Sequence, residues 1–224
     1  NMVKISIIIL FATTLSADVE TYISNINTKI QHGKFKDAAA LFDSALVDYD
    51  ASAKLYFIGA KISIKMDHLD LANRYLVKSI ELDPKNQEYR NSQQDLAELK
   101  DAMTKAKKSF DNGLIDDAIS DYSQLTLKYP NNAIVFYNLG LVYKVKEEYN
   151  MAVEMYKKAM ALNPLEDKYD LAVKAIAQMR AKDGDEDYRR QEFDSAIENY
   201  QIATTYYPNY TTAIFKLART YYKM

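Results

Sequence analysis

The chain has 224 residues, of which 48% are hydrophobic and 27% are charged, so it has the composition of an ordinary folded protein. Its formal net charge of -2 gives no overall electrostatic reason to expect nucleic acid or an anionic membrane as a partner. The absence of cysteine excludes disulfides, thiolate metal sites and cysteine nucleophiles. With only five glycines and four prolines, the sequence favours helices over a turn-rich β fold.

The amino-terminal segment differs in composition from the rest of the chain. Lys4 precedes an apolar run from Ile5 to Phe11, and mostly small residues follow up to Ala17. This order is typical of a secretory signal peptide. We therefore predict that residues 1–17 are a signal-peptide-like segment and that the protein is periplasmic or enters the secretory pathway. The alternative is an ordinary first helix packed on the end of the fold, in a cytoplasmic protein.

From residue 18 onward the sequence repeats a pair of amphipathic helices. In the clearest unit, residues 133–166, Leu139 lies four residues before Tyr143 and Ala152 lies four residues before Tyr156. Residues at this spacing share one face of a helix, so each helix of the unit carries its own apolar stripe. A single helix pair cannot bury both stripes, and the pattern therefore predicts stacked neighbours.

Small residues and prolines recur at fixed places in these units. Gly140 and Ala152 leave room for two helix backbones to approach, and Pro164 cannot continue the second helix. All four prolines of the chain fall at this last place. The pattern resembles the tetratricopeptide repeat at its full length. The repeats, in chain order, are residues 19–52, 53–86, 99–132, 133–166 and 177–210.

The resemblance implies an all-α fold, a right-handed α-solenoid of antiparallel helix pairs that occupies residues 18–224. Two inserts, Gln87–Glu98 and Asp167–Ile176, interrupt the array. Both lack glycine and proline, so we predict that they lengthen the first helix of the next repeat and kink the solenoid. Residues 211–224 supply one further first helix, which is either a cap or the beginning of a truncated repeat. No stable membrane span is expected once the signal-like segment is removed.

The sequence carries no pattern of catalytic or metal chemistry. His32 and His68 lie in separate turns, and neither has a ligand partner three or four residues away. The acidic run Asp183–Asp187 resembles the start of a calcium loop but lacks the glycine and the glutamate that such a loop needs. We therefore predict a protein that is not an enzyme, with no catalytic residues, metal site or cofactor.

In repeats of this family the first helices line a concave groove, and the resemblance implies that their exposed residues bind the partner. Lysines stand among aromatic and aliphatic side chains there, which suits an extended peptide with carboxylates and apolar groups. The alternative is a solvated lysine face. The predicted partner-binding residues are Lys54, Phe57, Lys61, Ile64, Lys65, Lys100, Met103, Lys107, Phe110, Tyr137, Asn138, Leu141 and Lys144.

The function predicted from these features is a protein–protein interaction scaffold in the periplasm or cell envelope, whose partner is a protein or peptide of acidic character. Two alternatives remain. One is a luminal co-chaperone, similar to tetratricopeptide proteins that carry a J domain after their repeats, although these residues contain no His-Pro-Asp motif. The other is a self-assembling scaffold that forms a homo-oligomer through its C-terminal end. Asn138 matches one residue of the carboxylate clamp of chaperone-binding members, but Ile23 and Met103 stand where clamp lysines are expected.

Overall fold

A computed structural model describes residues 19–224, so the predicted signal-peptide-like segment lies outside the described residues. Residues 19–224 form eleven helices and no strand. Short turns connect the helices, which lets each one pack beside the next. The helices are α1 (19–31 in its described part), α2 (Phe35–Asp48), α3 (Ala53–Lys65), α4 (Leu69–Leu82), α5 (Gln87–Asp111), α6 (Ile115–Lys128), α7 (Ala133–Val145), α8 (Tyr149–Leu162), α9 (Asp167–Arg189), α10 (Phe193–Tyr206) and α11 (Thr211–Lys223).

The helices pack in chain order as antiparallel pairs. Within the pairs, α3 contacts α4, α7 contacts α8 and α9 contacts α10, and each second helix also contacts the first helix of the next pair. The apolar stripes therefore become buried on both sides of each helix layer, as stacked repeats require. The predicted all-α solenoid of helix pairs is confirmed.

Every pair reverses direction at a residue with left-handed backbone geometry. This residue is the fifteenth of each predicted repeat, so the backbone supports the same register as the apolar pattern. Left-handed geometry is favourable for glycine and strained for most other residues. Two glycines and three other residues adopt it: Gly33 (φ 69°), Asp67 (62°), Gly113 (77°), Glu147 (64°) and Gln191 (65°).

Glycine allows the closest helix contacts in the fourth and fifth pairs. A Cβ atom at Gly140 would lie 2.6 Å from Cε1 of Tyr156 and 3.2 Å from the carbonyl oxygen of Ala152. Gly184 has the same surroundings in α9, where a Cβ atom would lie 2.8 Å from Cε1 of Tyr200. A larger residue would push these buried tyrosines away, which confirms the predicted role of the small residues.

Two first helices are much longer than the others. Helices α5 and α9 have 25 and 23 residues, whereas α3, α7 and α11 have 13 each. Tyr89 and Leu96 in the N-terminal part of α5 pack with Leu76 of α4, while Leu99 and Ala106 further along pack with α6. The third pair is therefore displaced along α5, by ~18 Å for twelve extra residues. The predicted lengthening of both helices is confirmed.

The displacement along α5 brings the turn of the second pair against the loop after the fourth pair. Asn163 Nδ2 donates to the carbonyl oxygen of Lys65 at 2.8 Å. Asp67 Oδ2 accepts hydrogen bonds from Lys168 Nζ at 2.8 Å and from the Tyr169 hydroxyl. We call this contact the first junction. It joins groups about one hundred residues apart, and nothing in the repeat pattern predicted it.

A second junction forms in the same way at α9, between the start of α8 and the end of α10. The Tyr206 hydroxyl donates to Asn150 Oδ1 at 2.5 Å. The guanidinium group of Arg180 lies 4.9 Å from the ring centroid of Tyr149, a cation–π distance. Next to each lengthened helix, residues at or after the turn of an earlier repeat thus contact residues of a later one.

Candidate functional site

A cleft of about 300 Å³ lies between α5, α7 and the turn from α3 to α4. We call it the inner cleft, because two of its walls are first helices. Its size suits one or two side chains of an extended ligand better than a whole folded element. Apolar and polar groups share its lining, which consists of Asp67, Leu69, Asp70, Lys100, Met103, Thr104, Lys107, Tyr122, Ile134 and Asn138.

Both lysines of the inner cleft are held by exposed carboxylates. Lys100 Nζ lies 2.5 Å from Asp70 Oδ1, and Lys107 Nζ lies 2.5 Å from Asp111 Oδ2. The hydrogen bond from Lys100 lowers the pKa of Asp70. Exposed ion pairs contribute only about 0 to 1 kcal/mol to stability. A ligand carboxylate can therefore replace Asp70 at Lys100, or Asp111 at Lys107, at small cost.

Asn138 supplies an unused amide at the same cleft. Its side chain is half-buried and makes no hydrogen bond within residues 19–224. A side-chain amide offers both a donor and an acceptor, which matches the hydrogen-bonding groups of a peptide backbone. Asn138 is therefore suited to fix the backbone of a bound segment.

Asp67 connects the inner cleft to the first junction. Its side chain is only 5% exposed, and its Oδ1 atom is buried with no hydrogen-bond partner among the described residues. Burial, and then the hydrogen bond to Asp67, raise the pKa of Tyr169. Asp67 thus lines the cleft, while its buried carboxylate holds α9 in place through Lys168.

A second cleft of about 360 Å³ lies beside the first junction, and two predicted binding residues, Ile64 and Lys65, line it. Lys65 Nζ donates to the carbonyl oxygen of Asn131 at 3.0 Å, and burial lowers its pKa. Its ammonium group is therefore already used to hold two parts of the chain together.

The three predicted residues nearest the N-terminus lie outside both clefts. Lys54 Nζ is 2.7 Å from Glu20 Oε2. Phe57 is buried against Tyr89, with ring centroids 4.6 Å apart. Lys61 covers the Phe57 ring at 4.1 Å. These side chains stabilise contacts of α1, α3 and α5.

The last predicted residues divide between the core and solvent. The Tyr137 ring lies 5.6 Å from that of Tyr156 and 5.4 Å from that of Tyr169. Phe110 and Leu141 are half-buried against apolar clusters. Lys144 is exposed on α7 and forms no ion pair within the described part of the chain. The predicted groove is therefore not one continuous surface.

The structure adds residues to the inner cleft that the sequence reasoning missed. Ile134 stands in the same repeat column as Lys54 and Lys100, so the column alone could have identified it. Leu69 and Asp70 reach the cleft because the second and third repeats are displaced along α5. No local signal in the sequence indicates that contact.

The acidic run of α9 is used for packing. Asp185 accepts hydrogen bonds from the Tyr200 hydroxyl at 2.8 Å and from Lys216 at 2.6 Å, and Asp187 accepts one from Asn199 at 2.8 Å. Within residues 19–224, no three potential metal ligands lie close enough together to hold an ion. Across the same range, none of the helices combines the length and apolar character needed to cross a bilayer.

Comparison with known proteins identifies the repeat. The sequence profile of the tetratricopeptide repeat family matches residues 133–164, which form α7, its turn and α8. The helix pairs around this unit share its left-handed turn position. Residues 133–164 are therefore a tetratricopeptide repeat. A fold built from tetratricopeptide repeats implies a protein–protein interaction scaffold. No curated protein sequence shows significant similarity to the chain.

Several solved tetratricopeptide structures are similar to this one. YrrB, described as a tetratricopeptide protein with an unusual peptide-binding site, is 21% identical, with 70% of this chain and 96% of that chain covered and a TM-score of 0.30. The protein pilF of Pseudomonas aeruginosa is 17% identical, with 92% and 88% covered and a TM-score of 0.33. MamA of Desulfovibrio magneticus RS-1 is 15% identical, with 85% and 96% covered and a TM-score of 0.30.

Proposed function

We propose that this protein is a non-enzymatic scaffold that binds an extended segment of a partner protein in the inner cleft. The observation that carries the proposal is the convergence of Lys100, Met103, Lys107 and Asn138 on one cleft. Two of these side chains offer exchangeable positive charge, one offers apolar surface, and one offers an unused amide. Together they match the three kinds of group that an extended peptide presents.

The chemistry of the inner cleft favours a segment with a carboxylate next to an apolar side chain. A ligand carboxylate would replace Asp70 at Lys100 or Asp111 at Lys107. The apolar side chain would lie against Met103, and Asn138 would bind the peptide backbone between the two. The preferred partner is accordingly acidic, and its affinity should fall as salt screens the lysines.

The compartment proposed for this function is the periplasm or the secretory pathway. Support comes from the composition of residues 1–17, with a lysine, an apolar run and small residues in that order. Mass spectrometry of the protein isolated from its native host tests the assignment. A mature chain that begins near Asp18 is expected, and an intact Met2 would contradict secretion.

A peptide library tests the binding function. Peptides selected on the wild-type protein should be enriched in Asp or Glu beside a large apolar residue. We expect Asn138→Ala and Lys107→Glu each to weaken the best peptide about tenfold, the value of roughly 1.4 kcal/mol, in calorimetric titration. Losses of this size are usual for one charge-assisted or buried hydrogen bond.

Lys144→Glu is the matched control, because it makes the same charge change on α7 outside both clefts. Its affinity for the selected peptides should stay within about twofold of wild type. Equal losses for Lys107→Glu and Lys144→Glu would indicate a nonspecific charge effect. Unchanged binding in both cleft variants would place the binding surface elsewhere on the molecule.

A further inference from the structure

The segment between α8 and α9 contacts the turns of two earlier pairs. At the turn of the first pair, a Cβ atom on Gly33 would lie 3.4 Å from Cγ of Pro164. At the turn of the second pair, Asn163 donates to the carbonyl oxygen of Lys65 at 2.8 Å. This segment and the start of α9, residues 163–169, therefore lie against the edge where the first two pairs reverse direction.

The second of these turns also forms one wall of the inner cleft. Asp67, Leu69 and Asp70 line the cleft from this side, and Ile134 and Asn138 line it from α7. The first wall belongs to the second pair, and the opposite wall belongs to the fourth pair. The width of the cleft therefore depends on how these two pairs are placed relative to each other.

The third pair separates the second pair from the fourth along the chain. Helix α4 packs on α5, α5 packs on α6, and α6 packs on α7, so each of these contacts fixes one neighbour. Small changes in angle at three successive interfaces would add up between the two walls. A direct contact between the second and fourth pairs limits such changes more effectively than any one interface of the series.

The ammonium group of Lys168 provides a direct contact of this kind. Its Nζ atom donates to Asp67 Oδ2 at 2.8 Å. It also lies 5.5 Å from the ring centroid of Tyr137, the residue before Asn138 in α7, which is a cation–π distance. The same ammonium group thus binds a residue of one wall and contacts the helix of the other, although Lys168 does not line the inner cleft.

The burial of Asp67 makes the turn depend on this contact. The side chain of Asp67 is 5% exposed, whereas that of Lys168 is 34% exposed. A buried carboxylate carries a large desolvation cost that a nearby cation offsets. Without Lys168, the carboxylate of Asp67 would be more stable in water, and its movement toward solvent would displace Leu69 and Asp70.

We propose that Lys168 is a positioning residue for the inner cleft, because it joins the turn of the second pair to α7 and thereby sets the distance between the two walls. This inference rests on the proposed function of the inner cleft, since a ligand that contacts both walls binds best at one separation. Substitution of Lys168 therefore changes affinity from outside the cleft. Ligand binding in turn strengthens the first junction, because coupling between two sites is reciprocal.

Arg180 provides the matched control. It also lies in α9, its side chain is 27% exposed, and its guanidinium group also lies over an aromatic ring, that of Tyr149. Arg180 belongs to the second junction and does not line the inner cleft. Lys168→Gln and Arg180→Gln thus each remove one half-exposed cation of α9 from a junction, whereas Lys168→Arg keeps a cation opposite Asp67.

The methyl resonance of Met103 reports on the walls without any ligand. Met103 lines the inner cleft, so the chemical shift of its isotope-labelled methyl group depends on the groups around it. Met103→Leu identifies the signal among those of the eight methionines. We expect Lys168→Gln to move this resonance several times further than Arg180→Gln does. Lys168→Arg should leave it close to its wild-type position.

Affinity for the peptides selected on the wild-type protein is the second measurement. Lys168→Gln should weaken the best peptide about fivefold in calorimetric titration, a usual size for coupling between separate sites. Arg180→Gln and Lys168→Arg should both stay within about twofold of wild type. Circular dichroism at the titration temperature checks that the variants are folded. If Lys168→Gln unfolds, Tyr169→Phe replaces it in both measurements, because it removes only the neighbouring hydrogen bond to Asp67.

Two results would overturn the proposal. The first is a Met103 resonance that moves equally in Lys168→Gln and Arg180→Gln. The second is a peptide affinity of Lys168→Gln equal to that of wild type. If the wild-type protein binds none of the peptides while the Met103 resonance still responds to Lys168→Gln and not to Arg180→Gln, the proposed function fails, but the positioning of the walls by Lys168 is supported.

Discussion

The two junctions arise from the same cause but are held by different chemistry. Both form because a lengthened first helix displaces the following repeat until a turn meets the end of a later helix or loop. At the first junction a carboxylate that is 5% exposed, Asp67, holds Lys168 and Tyr169. At the second, Tyr206 bonds to Asn150 and Arg180 lies over Tyr149.

This difference in chemistry determines how strongly each junction depends on a single side chain. Removing one partner of a buried ion pair is strongly destabilising, because the remaining charge stays buried and its desolvation cost is no longer offset. A neutral hydrogen bond and an aromatic contact lose only their own modest contributions. The first junction should therefore fail abruptly on substitution, and the second should weaken gradually.

The largest expected effect is at Asp67. Asp67→Asn keeps the size of the side chain and tolerates the left-handed backbone, but leaves Lys168 without its counterion. We expect a loss of about 2 to 3 kcal/mol in the free energy of unfolding, at the low end for a buried pair because Lys168 is 34% exposed. Urea denaturation measures this loss, and small-angle X-ray scattering should show a larger radius of gyration.

Asp70→Asn is the control, since it makes the same change three residues away on a side chain that is 90% exposed. It should cost less than about 0.5 kcal/mol. If the two variants have the same stability and the same radius, the first junction does not hold the repeats together.

The effect of alkaline pH on the free energy of unfolding should be smaller than that of Asp67→Asn. Burial raises the pKa of both Tyr169 and Tyr206, and the hydrogen bond to Asp67 raises that of Tyr169 further. Free tyrosines ionise near pH 10, so above this pH the unfolded chain releases protons that the folded chain retains. The free energy of unfolding therefore falls as pH rises, by up to about 1.4 kcal/mol per pH unit for each tyrosine.

Tyr169→Phe and Tyr206→Phe separate the contributions of the two junctions. Each should flatten the decline in stability between about pH 10 and pH 11, and Tyr169→Phe should flatten it more, because its hydroxyl faces a carboxylate. Urea midpoints measured at several pH values provide the comparison. Profiles parallel to that of wild type in both variants would show that neither hydroxyl is protected in the folded protein.

The smallest effect concerns the left-handed turn residues. Glu147 and Asp67 occupy the same turn position, but only Asp67 makes a junction contact there. Glu147→Gly should stabilise the protein by about 0.5 kcal/mol, since relief of backbone strain exceeds the entropic cost of glycine. Asp67→Gly relieves the same strain but should lower the melting temperature, because the partner of Lys168 is lost. A rise in melting temperature for both would contradict the comparison.

The repeat architecture could be predicted from the sequence because its signals are local. Apolar spacing, the prolines and the glycine at Gly140 each follow from contacts within one repeat or between neighbours. The lengthened helices were predicted for the same reason, since their inserts contain no residue that breaks a helix.

The shape of the candidate site could not be predicted, because it depends on contacts between distant repeats. Lys65 was expected in a groove, but its ammonium group bonds to Asn131, which is 66 residues away. Tyr137 was expected at the surface, but it packs against Tyr169, a residue of the insert before the fifth repeat. The position of a residue within its repeat predicts which face of the helix it occupies. It does not predict which distant residues pack against that face once the solenoid is kinked.

The length of each insert sets a rotation as well as a distance. Twelve residues at about 100° each turn a helix through about three and one third revolutions, whereas ten residues give about two and three quarters. The repeats that follow α5 and α9 therefore face in new directions, which aim Lys168 and Tyr206 at their partners. One extra residue in α5 would turn everything after it by about 100° and separate Asp67 from Lys168, while four would leave it about 40° from its present direction and add ~6 Å. The lengths of α5 and α9 thus determine the relative orientation of the repeats, and with it which surfaces of the chain come into contact.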